Sequence, residues 1–489
     1  MNGNVDSVKV RMYKTGSVGD CILLLFQKGA AVTFSMLIDC GGIKTTSALM
    51  SPCVDDIRKT CDGKLDLLVV THQHEDHISG FNLARPVFEQ ITVGEVWMSW
   101  VEDPTDDIAK MIKKQFGKKL KDLKHAAAGA SAALKKLSNQ KSDVMGVERR
   151  FGAGKQSVDE TMALLAFEEG QSYGKGLAAG KATNDDAMNF VKKKGKKITY
   201  HLPGDVIKDM KGTEGIKFYI LGPPRDPDLK FLKIEMDEDE IYHLALTASP
   251  GSLSATTNDH ITQSGVTLAP GASPFSNNFK MSNAEEVVFK KKYNNADFRW
   301  RQIETDWLSS SGGMALALNR FTNNTSLAMA LEFSDTGSVI LLPADAQSGN
   351  WMSWQKPDVM KKLKANGGKD TNELLASTKF YKVGHHGSHN GTASTQGLEK
   401  INRPDLVAFM PLVQDKVPAA WGGAANFPAK KLYQALIDKT KGRIVRTDEG
   451  VIKDASAVKM RQLLPRSVSS DFNNNVQEKP LYFEYTVHA

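Results

Sequence analysis

One short run constrains the fold more than any other feature of the chain. Leu65-Asp-Leu-Leu-Val-Val70 is almost wholly apolar and runs straight into His72-Gln-His-Glu-Asp-His77. An apolar run of that length reads as a strand covered on both faces, which occurs inside layered α/β proteins and not at a half-wet sheet surface. Polar clusters where such strands end are the usual place for chemistry in these folds. Three imidazoles and the Asp76 carboxylate within six residues suit a divalent metal. Alternation puts His72 and His74 on one side, and a tighter turn after them aims Asp76 and His77 at a second point nearby. Two adjacent metal ions are compatible with that spacing.

Flanking segments extend the α/β pattern. Val8–Tyr13 alternates, a turn follows at Thr15–Asp20, and Cys21–Phe26 and Thr33–Ile38 read as strands, the last ending at Asp39-Cys-Gly-Gly42. Further strands are expected at Ile198–Tyr200, Phe218–Leu221 and Lys379–Val383, with a hairpin formed by Ser326–Phe333 and Ser338–Leu342. Ile108, Met111, Ile112, Phe116, Leu120 and Leu123 recur at helical spacing within 104–140, and Pro428–Lys441 reads as a second helix. Lys192–Lys197 reads as a tight turn. Residues 126–190, rich in Ala, Gly and Ser, have no clear period, and 225–312 reads as irregular.

With 489 residues the chain is too long for one ordinary core, so a single domain needs large insertions. Hydrophobic residues at 41% and charged residues at 24% exclude a disordered or collagen-like chain. No apolar run approaches the ~20 residues of a membrane span. The N-terminus has neither a basic n-region nor an apolar h-region, and four cysteines without a C-x-x-C pair do not make a disulfide framework. A cytoplasmic protein is therefore expected. Cys21 and Cys40 read as buried small hydrophobes. The net charge of +7 resides in residues 101–200, which hold 20 Lys/Arg against 13 Asp/Glu. That segment reads either as a solvated helical face or as a surface for a polyanion.

The cluster at His72–His77 resembles the H-x-H-x-D-H signature of the metallo-β-lactamase superfamily. Asp39-Cys-Gly-Gly42, Leu342-Pro-Ala-Asp345 and Val383-Gly-His-His-Gly-Ser388 follow in the order of that superfamily's other motifs. Together with Val18-Gly-Asp-Cys-Ile-Leu23, Asn324-Thr-Ser-Leu327 and Arg446-Thr-Asp-Glu-Gly450, they are similar to the soluble hydrolase domain of ComEC-type DNA-uptake competence proteins. The similarity covers roughly residues 7–90, 198–224 and 315–455. His74 stands where ComEC-type domains often carry aspartate. Gly222-Pro-Pro224 occupies the stretch where many superfamily members place a further histidine, for which His201, His243 and His260 are the available substitutes.

The resemblance implies a four-layer αββα sandwich. Its core halves would be residues 1–99 and 313–489, with core strands in 198–224, a basic helical insertion at 100–197 and an irregular insertion at 225–312. It implies two divalent ions, zinc or manganese, and no organic cofactor. His72 and His74 would hold one ion, Asp76, His77 and one late-motif histidine the other, with Asp345 bridging. Spacing does not separate His385 from His386, and His385 is taken as the ligand. Asp39 would orient a ligand from behind. Asp76, His385 and His386 are the expected catalytic groups. Asn324, Ser326, Ser388 and His389 would line the site, and Lys113, Lys114, Lys118 and Lys121 would track substrate phosphates. The expected activity is a phosphodiesterase or nuclease using a metal-bound hydroxide. The alternatives are hydrolysis of a small ester, thioester or lactam, and a non-catalytic metal-binding regulator. Oligomeric state is open.

Overall fold

The computed structural model describes residues 3–138, 158–170, 182–225, 230–233, 241 and 306–489. Most of the irregular stretch 225–312, with the candidates His243 and His260, lies outside them. The backbone divides into two units. The first comprises Met1–Leu120, Ala163–Ala245 and Ala317–Ala489; it contains both sheets and every residue of the candidate metal centre, whereas Lys121 falls in the second. The second comprises Lys121–Met162 and Leu246–Leu316, and its described residues are helical.

The first unit is mixed α/β with two eight-stranded sheets. One sheet has β1 (Ser7–Tyr13), β2 (Ile22–Lys28), β3 (Ala31–Ile38), β4 (Lys64–Val70), β5 (Thr92–Ser99), β6 (Gly195–His201), β15 (Val476–Glu478) and β16 (Tyr482–His488). Its order is β15-β16-β1-β2-β3-β4-β5-β6. The other has β7 (Val206–Ile207), β8 (Ile216–Ile220), β9 (Met329–Phe333), β10 (Val339–Leu342), β11 (Thr378–Lys382), β12 (Val407–Met410), β13 (Ile444–Arg446) and β14 (Gly450–Val451). Its order is β14-β13-β12-β11-β10-β9-β8-β7. The parallel run β3-β4-β5-β6 has antiparallel strands on its β3 side and ends at the sheet edge with β6, whereas β10-β11-β12-β13 has an antiparallel neighbour on each side.

Period-two side-chain alternation explains the packing. Ile22, Leu24 and Phe26 of β2, Leu67 and Val69 of β4, Ile340 and Leu342 of β10, and Val407 and Phe409 of β12 share one core between the sheets. The intervening residues face outward to helices. Leu68 and Val70 pack with Met50, Val54 and Ile57 of the helix Ser47–Thr60 and with Ile78 and Phe81 of Glu75–Leu83. Val339 and Leu341 pack with Trp351 and Trp354 of Ser348–Trp354, and Ala408 and Met410 with Leu432 and Leu436 of Lys430–Thr440. Each fully buried aliphatic side chain contributes about 1.5–3 kcal/mol.

The expected strands and the β9–β10 hairpin are present. The Lys192–Lys197 turn is not. A helix, Asn184–Lys194, ends there and β6 begins at Gly195. That helix starts with a capping box between Thr183 and Asp186 and ends with Lys192, Lys193 and Lys194, which suit the negative end of its dipole. Cys21 and Cys40 are buried, as expected. Among the described residues no helix is long and apolar enough to cross a membrane.

Candidate metal centre

The site forms where parallel strands of both sheets end. β3 delivers Asp39, β4 delivers His72–His77, β10 delivers Asp345, and β11 delivers Lys382, His385 and His386. The backbone around Asp76 and His77 is held close to the first turn of the chain. Asp20 N donates to Asp76 O at 2.9 Å and Cys40 N to His77 O at 2.7 Å. A Cβ on Gly41 would lie 2.4 Å from Asp76 C, so only glycine permits that approach. Eight non-glycine residues with positive φ occur among the described residues, and Asp39, Ala344, His385 and His386 are four of them. Each such conformation costs about 1–3 kcal/mol and persists where its surroundings over-determine it, as functional sites do.

Asp76, His77, Asp345 and His386 each offer a ligand atom, and these atoms lie within 4.8 Å of one another. All four side chains are buried. Asp20, Asp39 and His77 form an adjoining group. Hydrogen bonds fix which nitrogen of each ring carries its proton. Asp39 Oδ2 accepts from His77 Nδ1 at 2.7 Å, and the Pro411 carbonyl accepts from His386 Nδ1 at 2.8 Å. Glu168 Oε1 accepts from His74 Nε2 at 2.8 Å. The Thr71 hydroxyl donates to Asp39 Oδ2 at 2.6 Å, so it stands to accept from His72 Nδ1 at 3.1 Å.

The opposite nitrogen of each ring then presents a lone pair to the interior. There it meets other acceptors. His77 Nε2 lies 3.1 Å from Asp345 Oδ2, and His386 Nε2 lies 3.0 Å from Asp76 Oδ2 and 3.4 Å from Asp345 Oδ2. His72 Nε2 and His74 Nδ1 are 3.0 Å apart. Acceptor facing acceptor is repulsive unless a proton or a cation lies between. His77 Nε2, Asp76 Oδ1 and Asp20 Oδ1 make no hydrogen bond at all. Orphaned buried atoms of this kind call for a missing partner, and this donor set fits a divalent ion.

Protonation in the ion-free site follows the same charge excess. Burial alone would lower His386, but the Asp345 and Asp76 carboxylates overcome it and push it up to about 10. His77 is raised well above its ordinary value against burial, chiefly by Asp345, Asp76 and Asp39. Asp345 is held well below the usual carboxylate range despite burial, by His77, His386 and Lys382. His72 is lowered by burial and by its imidazole neighbours. Two imidazolium ions thus supply positive charge that a metal ion would otherwise provide.

The late pair is resolved by the turn Gly384–Gly387. Both histidines are left-handed, with φ 43° and 51°, so their side chains do not alternate as in a strand. His386, not the expected His385, joins the group that could hold a metal ion. His385 Nε2 stands 3.9 Å from Asp345 Oδ2, and its two nitrogens face the Asn323 and Gln347 amides at 3.3 Å. Burial lowers its pKa to about 4.

Other expected residues divide. Ser326 Oγ is 3.2 Å from His72 Nδ1. Asn324 Oδ1 accepts from Gln347 N and Asn350 N, holding the segment after Asp345 in place. Ser388 donates to Asn390, and His389 is half-buried on the same loop. Lys113 is committed to the buried Glu102 at 2.6 Å, as is Lys192 at 2.9 Å. Lys114, Lys118 and Lys121 are exposed. His201 lies against Trp97 with its ring 4.4 Å away, and Asp205 is its nearest acid.

Three contributors escaped the sequence reading. Asp20 sits in the early turn, and Lys382 lies buried between Asp20 at 2.6 Å and Asp345 at 3.4 Å. A lysine at the end of the strand that leads into His385 and His386 was the available signal. Glu168 lies in the segment without a period. No family model, curated protein or solved structure matches the chain.

Proposed function

We propose that the chain is a metal-dependent hydrolase of metallo-β-lactamase type, a four-layer αββα sandwich that cleaves phosphodiesters, with nucleic acid as the substrate class. The observation that carries this reading is the buried group Asp76, His77, Asp345 and His386, in which His77 Nε2 and Asp76 Oδ1 have no hydrogen-bond partner. His72 and His74 are the residues for a second ion. A bound divalent ion lowers the pKa of water to about 7 and offsets charge on a phosphoryl oxygen.

The chain's own groups do the rest. Asp39 keeps the His77 proton on Nδ1, and Pro411 does the same for His386. His385 faces Asn323 and Gln347, and in this reading it contacts the leaving oxygen. Lys114 and Lys118 provide exposed positive charge for a phosphate backbone. The commitment of Lys113 and Lys192 to Glu102 favours a second reading, a small phosphodiester or ester, because it withdraws two cations from that surface.

Labelled single-stranded DNA, duplex DNA and RNA, incubated with manganese- or zinc-loaded protein, separate these readings. The control is the His74→Ala, Asp76→Ala double variant. Polymer cleavage that disappears in the control supports the nuclease. Absence of polymer cleavage by protein with bound metal, alongside turnover of a small phosphodiester, transfers the function to the second reading.

A further inference from the structure

We infer that Glu168 is a positioning residue for the His72–His74 pair, and that the segment carrying it is built into the metal centre. This rests on the metal-dependent reading above and deepens it. Glu168 is 5% exposed although glutamate rarely leaves water. Its two oxygens have separate tasks. Oε1 accepts from His74 Nε2 at 2.8 Å, and Oε2 accepts from the Thr322 hydroxyl at 3.1 Å. The neighbouring Phe167 lays its ring 4.8 Å from that of His74. Asn184 donates to the carbonyls of Phe167 and Glu168 at 3.2 Å and 3.1 Å, fixing the backbone there.

A ring with its proton on Nε2 has its lone pair on Nδ1, and that atom faces His72 Nε2 at 3.0 Å. The other tautomer would put a proton between the two rings, joining them by a hydrogen bond and closing the pair to an ion. Glu168 selects against that state because a carboxylate accepts and does not donate. It also makes the ring a stronger base, as carboxylate–histidine pairs behind metal ions do. Since the ion and Glu168 grip opposite sides of one imidazole, each favours the other's engagement by linkage. Residues 164–170 therefore become more protected when the ion binds.

The test uses the full-length protein and its Glu168→Ala and Glu168→Gln variants. Zinc and manganese affinities are measured by competition with a chromogenic chelator. Metal-free melting temperature and amide hydrogen exchange over residues 164–170 are followed alongside. Glu168→Ala is expected to weaken the more loosely held ion about 10–100-fold and to abolish the metal-induced protection. Glu168→Gln, which keeps an acceptor oxygen but no charge, is expected to fall between. A Glu168→Ala isotherm superimposing on the wild-type one overturns the inference, whatever happens to the melting temperature. Should Glu168→Ala not fold, wild-type affinity in Glu168→Gln overturns it equally. Failure of the wild-type protein to bind either ion would instead remove the metal-dependent reading itself.

Discussion

Replacing Lys382 by Met keeps most of its length and removes its charge. Lys382, Asp20 and Asp345 are each 1% exposed. The ammonium lies 2.6 Å from Asp20 Oδ2, 3.4 Å from Asp345 Oδ1 and 3.0 Å from the Ala344 carbonyl. Burial would lower its pKa, but Asp20 and Asp345 overcome that and raise it, so it is charged at neutral pH. Removing one partner of such a buried pair costs about 3–5 kcal/mol, because the other charge stays behind without water. The first unit has about 380 residues, and at ~2.1 cal/mol/K per residue its unfolding entropy is about 0.8 kcal/mol/K. Lys382→Met should therefore lower the metal-free melting temperature by about 4–6 °C. Thermal melts followed by circular dichroism in chelator measure this. A bound divalent ion supplies charge to Asp345 from its other side, so the deficit should narrow in metal-loaded protein. A metal-free variant melting within about 1 °C of wild type would refute the idea that Lys382 neutralises these carboxylates.

Three further outcomes follow from the same geometry. Asp39→Asn removes the acceptor shared by His77 Nδ1 and the Thr71 hydroxyl, and chelator competition should show metal affinity reduced about 10–100-fold. Lys114→Glu with Lys118→Glu should weaken polymer cleavage and flatten its salt dependence by about 0.9 log units per lost phosphate contact, leaving bis(p-nitrophenyl) phosphate turnover unchanged. Unaltered polymer cleavage would make that face an ordinary solvated one. Glu102 is held below its ordinary pKa against burial, by Lys113 and Lys192. A depressed carboxyl stabilises above its unfolded value of about 4.3 and loses that contribution as pH falls through the folded value. Glu102→Gln should then cost about 1.5–3 kcal/mol at pH 7 in urea unfolding, with the gap closing on acidification; a gap independent of pH would count against the ion pairs.

Much of the site was legible because strand ends and metal ligands leave local marks. The apolar β4 followed by His72–His77 placed the cluster, and Asp39 and Asp345 each follow a recognisable strand. His386 was not separable from His385, since alternation fails where consecutive residues adopt left-handed backbone. Glu168 left no local mark at all. Its role depends on a contact spanning 94 residues, in a segment whose small side chains give no clear period. Lys192–Lys197 was misread because a helix C-terminus and a turn both favour lysine and glycine. Here the deciding feature was the Thr183–Asp186 capping box upstream. The C-terminal strand β16 is set by pairing with β1, at the far end of the sequence, and β15 by pairing with β16, which periodicity does not report.

The proposed function requires a divalent ion among Asp76, His77, Asp345 and His386. Anomalous diffraction from crystals grown with manganese tests it most directly. The expected result is a peak bonded to His77 Nε2, His386 Nε2 and the Asp76 and Asp345 carboxylates. Manganese found only elsewhere, with these four side chains in mutual hydrogen bonds, would contradict it.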